Sequence, residues 1–453
     1  MHINFLRIIN KDIKRKIYQK LEEWKNRKNR KPLILKGTRQ VGKTYILKRF
    51  GQEAFDKFHY VNFEEDEALS RIFINDLKPK RILQDLSFYV ESSINMEKDL
   101  IIFDEIQACP RALTSLKYFQ EQLAGLSICA AGSLLGIHLG NSSFPVGKVD
   151  QIEMFPMCFE EFLAASGEIR LLDLLQNCAL DTAIPETAHS LLWDQLKIYF
   201  VVGGLPEIIQ TYLDYKEDLF LSLMTVRERQ TNLINAYLTD NAKHSGKQNA
   251  MYIERIWKNI PAQLAREQDG STPKFRFKGV VPEIKTYSRL AAPIDWLNTA
   301  GLIIKIYIVN SGELPFSAHT AENRFQLCFF DVGMLGAMSQ LPPKTILDYD
   351  YETYKGYFAE NFIAQEFRYA GTRQIYSWRE KTAEVEFLRE KHGQVLPVEV
   401  KSGWVTQAKS LKVFSDKYNP PYRTVMSAKN LNIDHKNRIH HYPLYLAARF
   451  PLT

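Results

Sequence analysis

The chain has 453 residues, 45% of them hydrophobic and 25% charged, with a formal net charge of +7 at pH 7. This length is too great for one hydrophobic core and predicts several domains of ordinary soluble, globular composition. No apolar run approaches the ~18 residues of a membrane span, and residues Met1–Arg7 lack the apolar segment of a signal peptide. The five cysteines form no C-x-x-C pair, which argues against zinc and disulfides. We therefore expect a cytoplasmic protein with reduced thiols and no membrane partner.

The first predicted element is a helix, because apolar residues recur at helical spacing over residues 13–24. A basic run at Lys25–Lys31 follows, directly before a short buried strand at residues 31–36. The run is either a solvated polar segment or a binding segment for a nucleic-acid backbone, and its composition is compatible with both.

Residues 37–44, G-T-R-Q-V-G-K-T, fit the phosphate-loop pattern G-x-x-x-x-G-K-[ST] at every fixed position, between a strand and a helix. Glycines let such a loop curl so that backbone N–H groups point at phosphate oxygens, and the helix adds its positive dipole end. We expect Lys43 to lie between the β- and γ-phosphates of ATP, and the Thr44 hydroxyl to bind Mg²⁺. The predicted ATP-binding residues are Gly37, Thr38, Arg39, Gln40, Val41, Gly42, Lys43, Thr44 and Tyr45.

A second chemical signal ends the apolar segment Leu100–Glu105, which follows an alternating strand at residues 58–63. Four consecutive apolar residues before two carboxylates are typical of a buried central strand, whose carboxyl end faces the ligand in α/β sheets. We expect Asp104 to hold Mg²⁺ through water and Glu105 to act as the general base on the attacking water.

A further strand at residues 126–133 is small and apolar and ends in a hydroxyl group, and residues 149–154 form another. In phosphate-loop ATPases a polar residue at the neighbouring strand tip senses the γ-phosphate. Ser133 is our candidate for this catalytic role, and a simple turn serine is the alternative.

Together, Gly37–Thr44, Leu100–Gln107, Ala131–Ser133 and Phe155–Phe162 resemble a family of prokaryotic AAA-type ATPases fused to a C-terminal domain of uncharacterised role. Later segments agree with the resemblance, which extends over nearly the whole chain. These segments are Gly203–Glu207, Trp296–Leu302, Phe330–Leu335 and Val398–Gly403. Related proteins often carry arginine where this chain has Lys148, which would offer a point charge instead of a bidentate fork.

Residues from about 165 to 250 are predicted to be helical, with a joint between helices at Gly203–Glu207. Residues 251–338 follow the order helix, helix, helix and β-hairpin, with helices at 253–265, 283–291 and 293–299. This order predicts a winged helix, and the family resemblance agrees. Basic residues cluster around its second helix and favour duplex DNA binding, with domain packing as the alternative. They are Lys274, Arg276, Lys278, Lys285 and Arg289.

The third chemical signal lies near the C-terminus. Glu360 lies beside the apolar face of a predicted helix, and strand alternation predicts that Glu386, Glu399 and Lys401 face solvent on adjacent strands. A carboxylate followed thirteen residues later by Glu-x-Lys resembles the restriction-endonuclease-like site, in which two carboxylates hold Mg²⁺ or Mn²⁺ and lysine serves the water. Glu386 stands where related proteins usually have aspartate. The longer glutamate side chain moves the carboxylate oxygens by about one methylene. The alternative is a nuclease fold retained only for binding.

The sequence thus predicts an α/β multidomain protein. Its domains are a phosphate-loop AAA-type domain with a parallel sheet at 1–165, a helical region at 166–250, a winged helix at 251–340 and a restriction-endonuclease-like domain at 341–453. We expect hydrolysis of ATP with Mg²⁺ to drive a conformational change linked to duplex DNA. The alternative is a nucleotide-dependent switch that binds a protein partner, with an inactive nuclease-like domain. An oligomer is compatible with either function.

Overall fold

The computed structural model describes residues 15–133, 143–180, 182–245, 247–267, 274–349, 354–403 and 409–452. The chain divides into two compact units. The N-terminal unit consists of Lys14–Phe155 and the three residues Thr299–Gly301, and the C-terminal unit contains Pro156–Asn298 and Leu302–Thr453. The finer division into four domains stays a prediction. None of the described helices combines the length and apolar composition that a membrane span requires.

The N-terminal unit has a five-stranded sheet in the order β2-β3-β4-β1-β5, and every pair of neighbouring strands is parallel. Its strands are β1 (Leu33–Lys36), β2 (Lys57–Asn62), β3 (Asp99–Asp104), β4 (Ser127–Gly132) and β5 (Asp150–Glu153). Its helices are α1 (Ile17–Lys25), α2 (Lys43–Ala54), α3 (Pro79–Tyr89) and α4 (Pro110–Gln122), with 3₁₀ turns at Glu67–Phe73 and Ile106–Ala108. The predicted parallel sheet with flanking helices is confirmed.

The centre of this sheet is buried on both faces, as its apolar runs predict. β3 and β4 are buried at every position, the pattern of parallel strands covered on both sides. The rings of Phe63, Phe73 and Phe103 pack edge to face in this core, with centroids 5.5 to 6.1 Å apart. Since β4 lies between β1 and β3, the carboxyl ends of all three strands meet at one edge of the sheet.

The C-terminal unit has a mixed eight-stranded sheet in the order β12-β13-β11-β10-β9-β8-β6-β7. Its strands are β6 (Ile303–Val309), β7 (Thr320–Phe329), β8 (Ile375–Glu380), β9 (Ala383–Lys391), β10 (Gln394–Val400), β11 (Arg423–Ser427), β12 (Asn432–Asp434) and β13 (Ile439–Pro443). The helices before the sheet are α5 (Phe159–Ser166), α6 (Ile169–Gln176), α7 (Glu186–Val202), α8 (Pro206–Asp214), α9 (Leu219–Ser245), α10 (Lys247–Glu267) and α11 (Tyr287–Thr299). The later helices are α12 (Val332–Met338), α13 (Pro343–Leu347), α14 (Tyr354–Tyr369) and α15 (Lys409–Tyr418), with 3₁₀ turns at Phe316–His319 and Leu444–Arg449.

The hairpin predicted for the winged helix is present but is not a free wing. β6 pairs antiparallel with β7 on one side and parallel with β8 on the other, so it joins the strands of the predicted nuclease-like region in one sheet. Six of the seven β6 positions are buried, as expected for a strand inside a sheet. The two helices predicted at 283–291 and 293–299 are one helix, α11, which contains Pro293. Glu283 cannot begin a helix because its φ of 66° lies in the left-handed region.

The joint predicted at Gly203–Glu207 is held by a buried carboxylate. Asp331 is fully buried and accepts hydrogen bonds from the backbone N–H groups of Gly204 at 2.6 Å and Met334 at 3.0 Å. Burial raises the pKa of Asp331 to about 6, and the backbone donors oppose this shift. A Cβ atom at Gly203 would lie 2.2 Å from Asp331 Oδ1. Glycine is therefore required at the joint by close packing as well as by its positive φ.

Candidate functional site

The phosphate loop runs from the end of β1 to the first turn of α2. Gly42 has a φ of 92° and Gln40 a φ of 65°, so the loop curls through two left-handed positions before the helix. A Cβ atom at Gly37 would lie 2.3 Å from the carbonyl oxygen of Met154. Gly37 is thus required by the close approach of the segment after β5, and Gly42 by its backbone conformation.

The Lys43 side chain folds over its own phosphate loop. Its side chain donates hydrogen bonds to the carbonyl oxygens of Gly37 at 2.9 Å and Thr38 at 2.8 Å, and the residue is only 7% exposed. Burial lowers the pKa of Lys43 to about 8, and the nearby carboxylates of Glu105 and Asp104 oppose the shift. A buried ammonium at the centre of a phosphate loop is the charge that a nucleotide phosphate chain requires.

The structure brings Thr44 and Asp104 into direct hydrogen-bond distance. The Thr44 hydroxyl donates to Asp104 Oδ2 at 2.7 Å, and the Tyr60 hydroxyl donates to the same oxygen at 2.8 Å. The backbone N–H of Glu105 donates to Asp104 Oδ1 at 3.1 Å. A hydroxyl and a carboxylate oxygen suit Mg²⁺, which prefers hard oxygen ligands. Sequence reasoning missed Tyr60, although the alternation in β2 could have placed it on the same face as Phe58 and Asn62.

Glu105 lies in a strained and partly buried position immediately after β3. Its φ is 48°, in the left-handed region that non-glycine residues rarely adopt. Burial raises the pKa of Glu105, while a hydrogen bond from the Gln107 amide and the charges of Lys43 and Arg39 oppose the shift. The sequence analysis includes Gln107 in the segment Leu100–Gln107 but does not predict its hydrogen bond to Glu105.

Ser133 follows β4, whose residue Gly132 pairs with Lys36 of β1 directly before the phosphate loop. Arg39 extends from the loop toward it, with Nε donating to Ser133 Oγ at 3.4 Å. The Arg39 guanidinium also forms an ion pair of 3.8 Å with Glu64. The hydroxyl at this strand tip and a cation of the phosphate loop therefore lie together, beside the carboxylate edge of β3.

The remaining predicted residues, and Lys148, have contacts other than with the carboxylates at the end of β3. Val41 is fully buried, whereas Tyr45 is 40% exposed on α2. Thr38 donates from its hydroxyl to the carbonyl oxygen of Ala300 at 2.6 Å, a bond between residues 262 positions apart that the sequence did not reveal. The side chain of Lys148 forms a surface ion pair with Glu121 at 3.0 Å.

The acidic residues predicted near the C-terminus do come together on the eight-stranded sheet. The β9–β10 register pairs Val398 with Phe387, so the following residues of the ladder, Glu399 and Glu386, lie opposite each other. Lys401 Nζ forms an ion pair of 2.6 Å with Glu399 Oε1. Glu360 on α14 accepts a weak hydrogen bond of 3.4 Å from Gln326.

The charge of this cluster is poorly compensated. Burial raises the pKa of Glu386, and the charge of Glu399 raises it further. Burial also raises the pKa values of Glu360 and Glu384, each to about 7. Burial alone would lower the pKa of Lys401, but the carboxylates of Glu386 and Glu399 raise it above its usual value.

One oxygen of each central carboxylate lacks a partner. Glu386 Oε2 and Glu399 Oε2 are buried without a hydrogen bond. Across the described ranges, no three His, Cys, Asp or Glu side chains form a group that could hold a metal ion. The second Mg²⁺ or Mn²⁺ that the sequence suggested therefore has no support among the described residues.

The predicted basic cluster lies on an extended segment and on the start of α11, instead of around a separate helix. Phe275 and Phe277 are buried, and the Phe275 N–H donates to the Phe325 carbonyl of β7 at 2.8 Å. The intervening Arg276 and the next residue Lys278 are exposed. The other three members are Lys285 and Arg289, which are exposed, and Lys274, which is half-buried.

Comparison with protein families divides the chain into three matched segments. Residues 29–163 match a family described as an AAA domain. Residues 194–345 and 355–446 match two families described as domains of unknown function, DUF8612 and DUF4143. Comparison with curated proteins gives no match.

Several solved structures are similar to this chain at low identity. A Walker-type ATPase of Pyrococcus abyssi is 17% identical, with a TM-score of 0.43 over 71% of this chain and 94% of its own. The RuvB Holliday junction branch migration motor of Thermotoga maritima is 14% identical, with a TM-score of 0.30 over 64% of this chain and 87% of its own. A signal transduction ATPase with numerous domains from Pyrococcus horikoshii is 12% identical, with a TM-score of 0.26 over 78% of this chain and 45% of its own.

The N-terminal unit thus combines a phosphate loop, a carboxylate pair at the end of β3 and a match to the AAA domain family over residues 29–163. These findings support a P-loop AAA-type ATPase domain within residues 29–163, and such domains bind and hydrolyse ATP, typically with Mg²⁺.

Proposed function

We propose that the protein hydrolyses ATP with Mg²⁺ and that hydrolysis drives a conformational change of the chain. The observation that supports this most directly is the Thr44–Asp104 hydrogen bond of 2.7 Å. It joins the last residue of the phosphate loop to the carboxylate at the end of β3, so the two sequence motifs form one site. Lys43 and Glu105 interact electrostatically at the same edge of the sheet.

In this proposal the loop backbone between Gly37 and Lys43 binds the phosphate chain, and the Lys43 ammonium neutralises charge on the β- and γ-phosphates. Thr44 and Asp104 would hold Mg²⁺, which supplies charge neutralisation at the phosphates when it is bound. Glu105 orients the attacking water and accepts its proton as the new P–O bond forms and ADP leaves.

The surroundings of Glu105 suit a general base. Burial raises the pKa of its carboxyl, which brings the carboxylate closer to the proton affinity that catalysis near neutral pH requires. The hydrogen bond from Gln107 fixes one carboxylate oxygen, and the other oxygen is the candidate acceptor for the water proton. Ser133 and Arg39 lie at the neighbouring strand tip and are the candidates for binding the γ-phosphate.

Phosphate release from ATP tests this proposal directly in the full-length protein. We expect release with Mg²⁺ and none after chelation with EDTA, and we expect duplex DNA to change the rate. The absence of Mg²⁺-dependent release with and without DNA, together with the absence of ATP binding, would contradict the proposed ATPase.

A second candidate function is binding of duplex DNA through the basic segment 274–289. It is favoured by the alternation of buried Phe275 and Phe277 with exposed Arg276 and Lys278. The aromatic side chains fix the segment against β7, so neighbouring cations are held outward in a row. Fixed outward cations can neutralise phosphates without a large loss of side-chain and backbone freedom.

Charge reversal of Lys274, Arg276 and Lys278 to Glu tests the DNA proposal. Removal of each phosphate-binding cation should reduce the slope of log affinity against log salt by about one unit. Lys344→Glu, at an exposed site on α13, is the matched control and should leave the slope unchanged. Equal slopes for the triple variant and its parent would favour a protein partner instead.

For the C-terminal unit we propose a binding role without nuclease activity. No group of three His, Cys, Asp or Glu side chains among the described residues could hold a metal ion, and Lys401 Nζ lies 2.6 Å from Glu399 Oε1. We expect no tight Mn²⁺ binding in calorimetric titration of the full chain after chelation, and no cleavage of duplex DNA. Cleavage that depends on Lys401 would restore the nuclease hypothesis, because lysine serves the water and not the ion.

A further inference from the structure

A short segment from far along the chain is part of the nucleotide-binding unit. Thr299–Gly301 belong to the N-terminal unit, although the chain on both sides of them belongs to the C-terminal unit. The segment reaches the phosphate loop itself through one buried hydrogen bond of 2.6 Å, from the Thr38 hydroxyl to the Ala300 carbonyl. The phosphate loop thus has a structural partner that the order of the sequence does not suggest.

Thr38 connects this segment to the phosphate-binding lysine. The Thr38 carbonyl accepts a hydrogen bond of 2.8 Å from Lys43 Nζ, while its hydroxyl donates to Ala300. Thr38 is 4% exposed, so its side chain has little freedom to exchange this partner for water. A single residue therefore links the position of the Lys43 ammonium to the Ala300 carbonyl.

The segment fits tightly against Thr38 and leaves no room for a side chain at Gly301. Gly301 has a φ of 73°, and a Cβ atom there would lie 2.8 Å from Thr38 Oγ1. Gly301 also follows the end of α11, where the Leu302 N–H donates to the Leu297 carbonyl at 3.0 Å. A glycine in this conformation terminates helices, so the residue that ends α11 also packs against the phosphate loop.

We propose that Thr38 is a positioning residue and that Thr299–Gly301 form a nucleotide-sensing segment of the chain. A phosphate chain in the loop draws the Lys43 ammonium toward its oxygens and away from the Gly37 and Thr38 carbonyls. Thr38 then reorients, its hydrogen bond to Ala300 breaks, and the end of α11 loosens. Because the segment is covalently continuous with α11 and β6, nucleotide binding alters these elements. This inference rests on the proposed ATP binding.

Hydrogen exchange in the full-length protein tests the inference, with a non-hydrolysable ATP analogue and Mg²⁺ as the probe. We expect bound analogue to accelerate exchange of the Gly301 and Leu302 amides by about threefold or more. Thr38→Val, measured at an analogue concentration that saturates this variant, should show fast exchange with and without the analogue. Thr38→Ser keeps the hydroxyl and should restore the dependence on nucleotide.

Two matched controls separate this hydrogen bond from general destabilisation. Thr114→Val removes another threonine hydroxyl that donates to carbonyl oxygens in the N-terminal unit, and should behave as the parent. Gly147 has a φ of 72° but open space around its Cβ position. Gly301→Ala should therefore disturb exchange at α11 and weaken analogue binding more than Gly147→Ala does.

Titration with a fluorescent ATP analogue distinguishes failure of this inference from failure of the proposed function. If the parent binds no nucleotide, both are overturned. If the parent binds nucleotide and exchange at Gly301 and Leu302 is unchanged, the ATP-binding function stands and the sensing role is overturned. The same conclusion follows if Thr38→Val retains the nucleotide-dependent change.

Discussion

Two carboxylate sites on two sheets of this protein differ in how their charge is stabilised. In the N-terminal unit, Asp104 accepts hydrogen bonds from Thr44, Tyr60 and the Glu105 backbone. In the C-terminal unit, one oxygen each of Glu386 and Glu399 is buried without a donor. Donors favour the ionised form of a carboxylate, whereas burial without donors favours the neutral form.

Acidic residues that look alike in the sequence therefore differ in the number of hydrogen-bond donors around their carboxylates. The carboxylate of Asp104 has both oxygens hydrogen-bonded to hydroxyl and amide donors and lies at the end of β3 beside the phosphate loop. A crowded carboxylate cluster with one neighbouring lysine is costly to ionise, and its ionised form lowers the stability of the fold. We expect substitutions in the two units to expose this difference, with the largest effect at the phosphate loop.

Lys43→Ala should abolish nucleotide binding, with a loss of affinity of at least ~100-fold, or about 3 kcal/mol. The reason is that Lys43 is the buried cation of the phosphate loop, bonded to the carbonyls of Gly37 and Thr38. Affinity is measured by titration with a fluorescent ATP analogue. Lys98→Ala, which removes an exposed lysine in a surface pair with Asp56, should retain parent affinity. Parent-like binding by Lys43→Ala would show that the loop does not hold the phosphates.

Glu105→Gln should bind ATP normally and lose hydrolysis by about 10²–10⁴-fold, the usual contribution of a general base. Glutamine preserves the shape and one acceptor oxygen of Glu105 while it removes the basic group. Steady-state phosphate release and analogue binding are measured on the same samples. Glu121→Gln, at a surface ion pair with Lys148, is the control. Unchanged turnover in Glu105→Gln would assign the base to a different residue.

Asp331→Ala should destabilise the protein by about 3 kcal/mol, because it leaves the buried N–H groups of Gly204 and Met334 without an acceptor. Within the C-terminal unit, Asp331 is a buried carboxylate with hydrogen-bond donors, in contrast to the unpartnered oxygens of Glu386 and Glu399. Urea unfolding of the variant and the parent measures the loss. Asp66→Ala removes a cap that accepts from the Ala68 N–H at an exposed site, and should cost at most about 1 kcal/mol. Equal losses of unfolding free energy in Asp331→Ala and Asp66→Ala would contradict the claim that burial makes the Asp331 hydrogen bonds more stabilising.

Glu386→Gln should leave stability unchanged or raise it by up to about 1 kcal/mol, because it removes a charge from a crowded buried cluster. The variant and the parent are compared by thermal unfolding, and Mn²⁺ affinity is measured by calorimetry in parallel. A large loss of stability would indicate that the ionised carboxylate is well compensated. Tight Mn²⁺ binding by the parent that the variant lacks would instead identify the cluster as a metal site.

The sequence by itself determined the features that depend on neighbouring residues. The phosphate loop is a contiguous segment whose own backbone surrounds the phosphates, so its pattern predicts the roles of Lys43 and Thr44 without knowledge of the fold. The apolar run before Asp104 likewise predicts a buried strand with a carboxylate at its end. Strand alternation also predicts that Glu386 and Glu399 face solvent on adjacent strands, because side-chain direction in a strand has a period of two. The two strands are neighbours, but Glu399 is only 5% exposed.

Only the tertiary structure decided the features that depend on packing between distant segments. β6 was predicted as half of a wing, but its pairing with β8 depends on where the later strand packs. The hydrogen bonds from Thr38 to Ala300 and from Tyr60 to Asp104 likewise follow from packing. Such pairs leave no local pattern in the sequence, because each partner has an ordinary local environment and only the folded chain brings the two together.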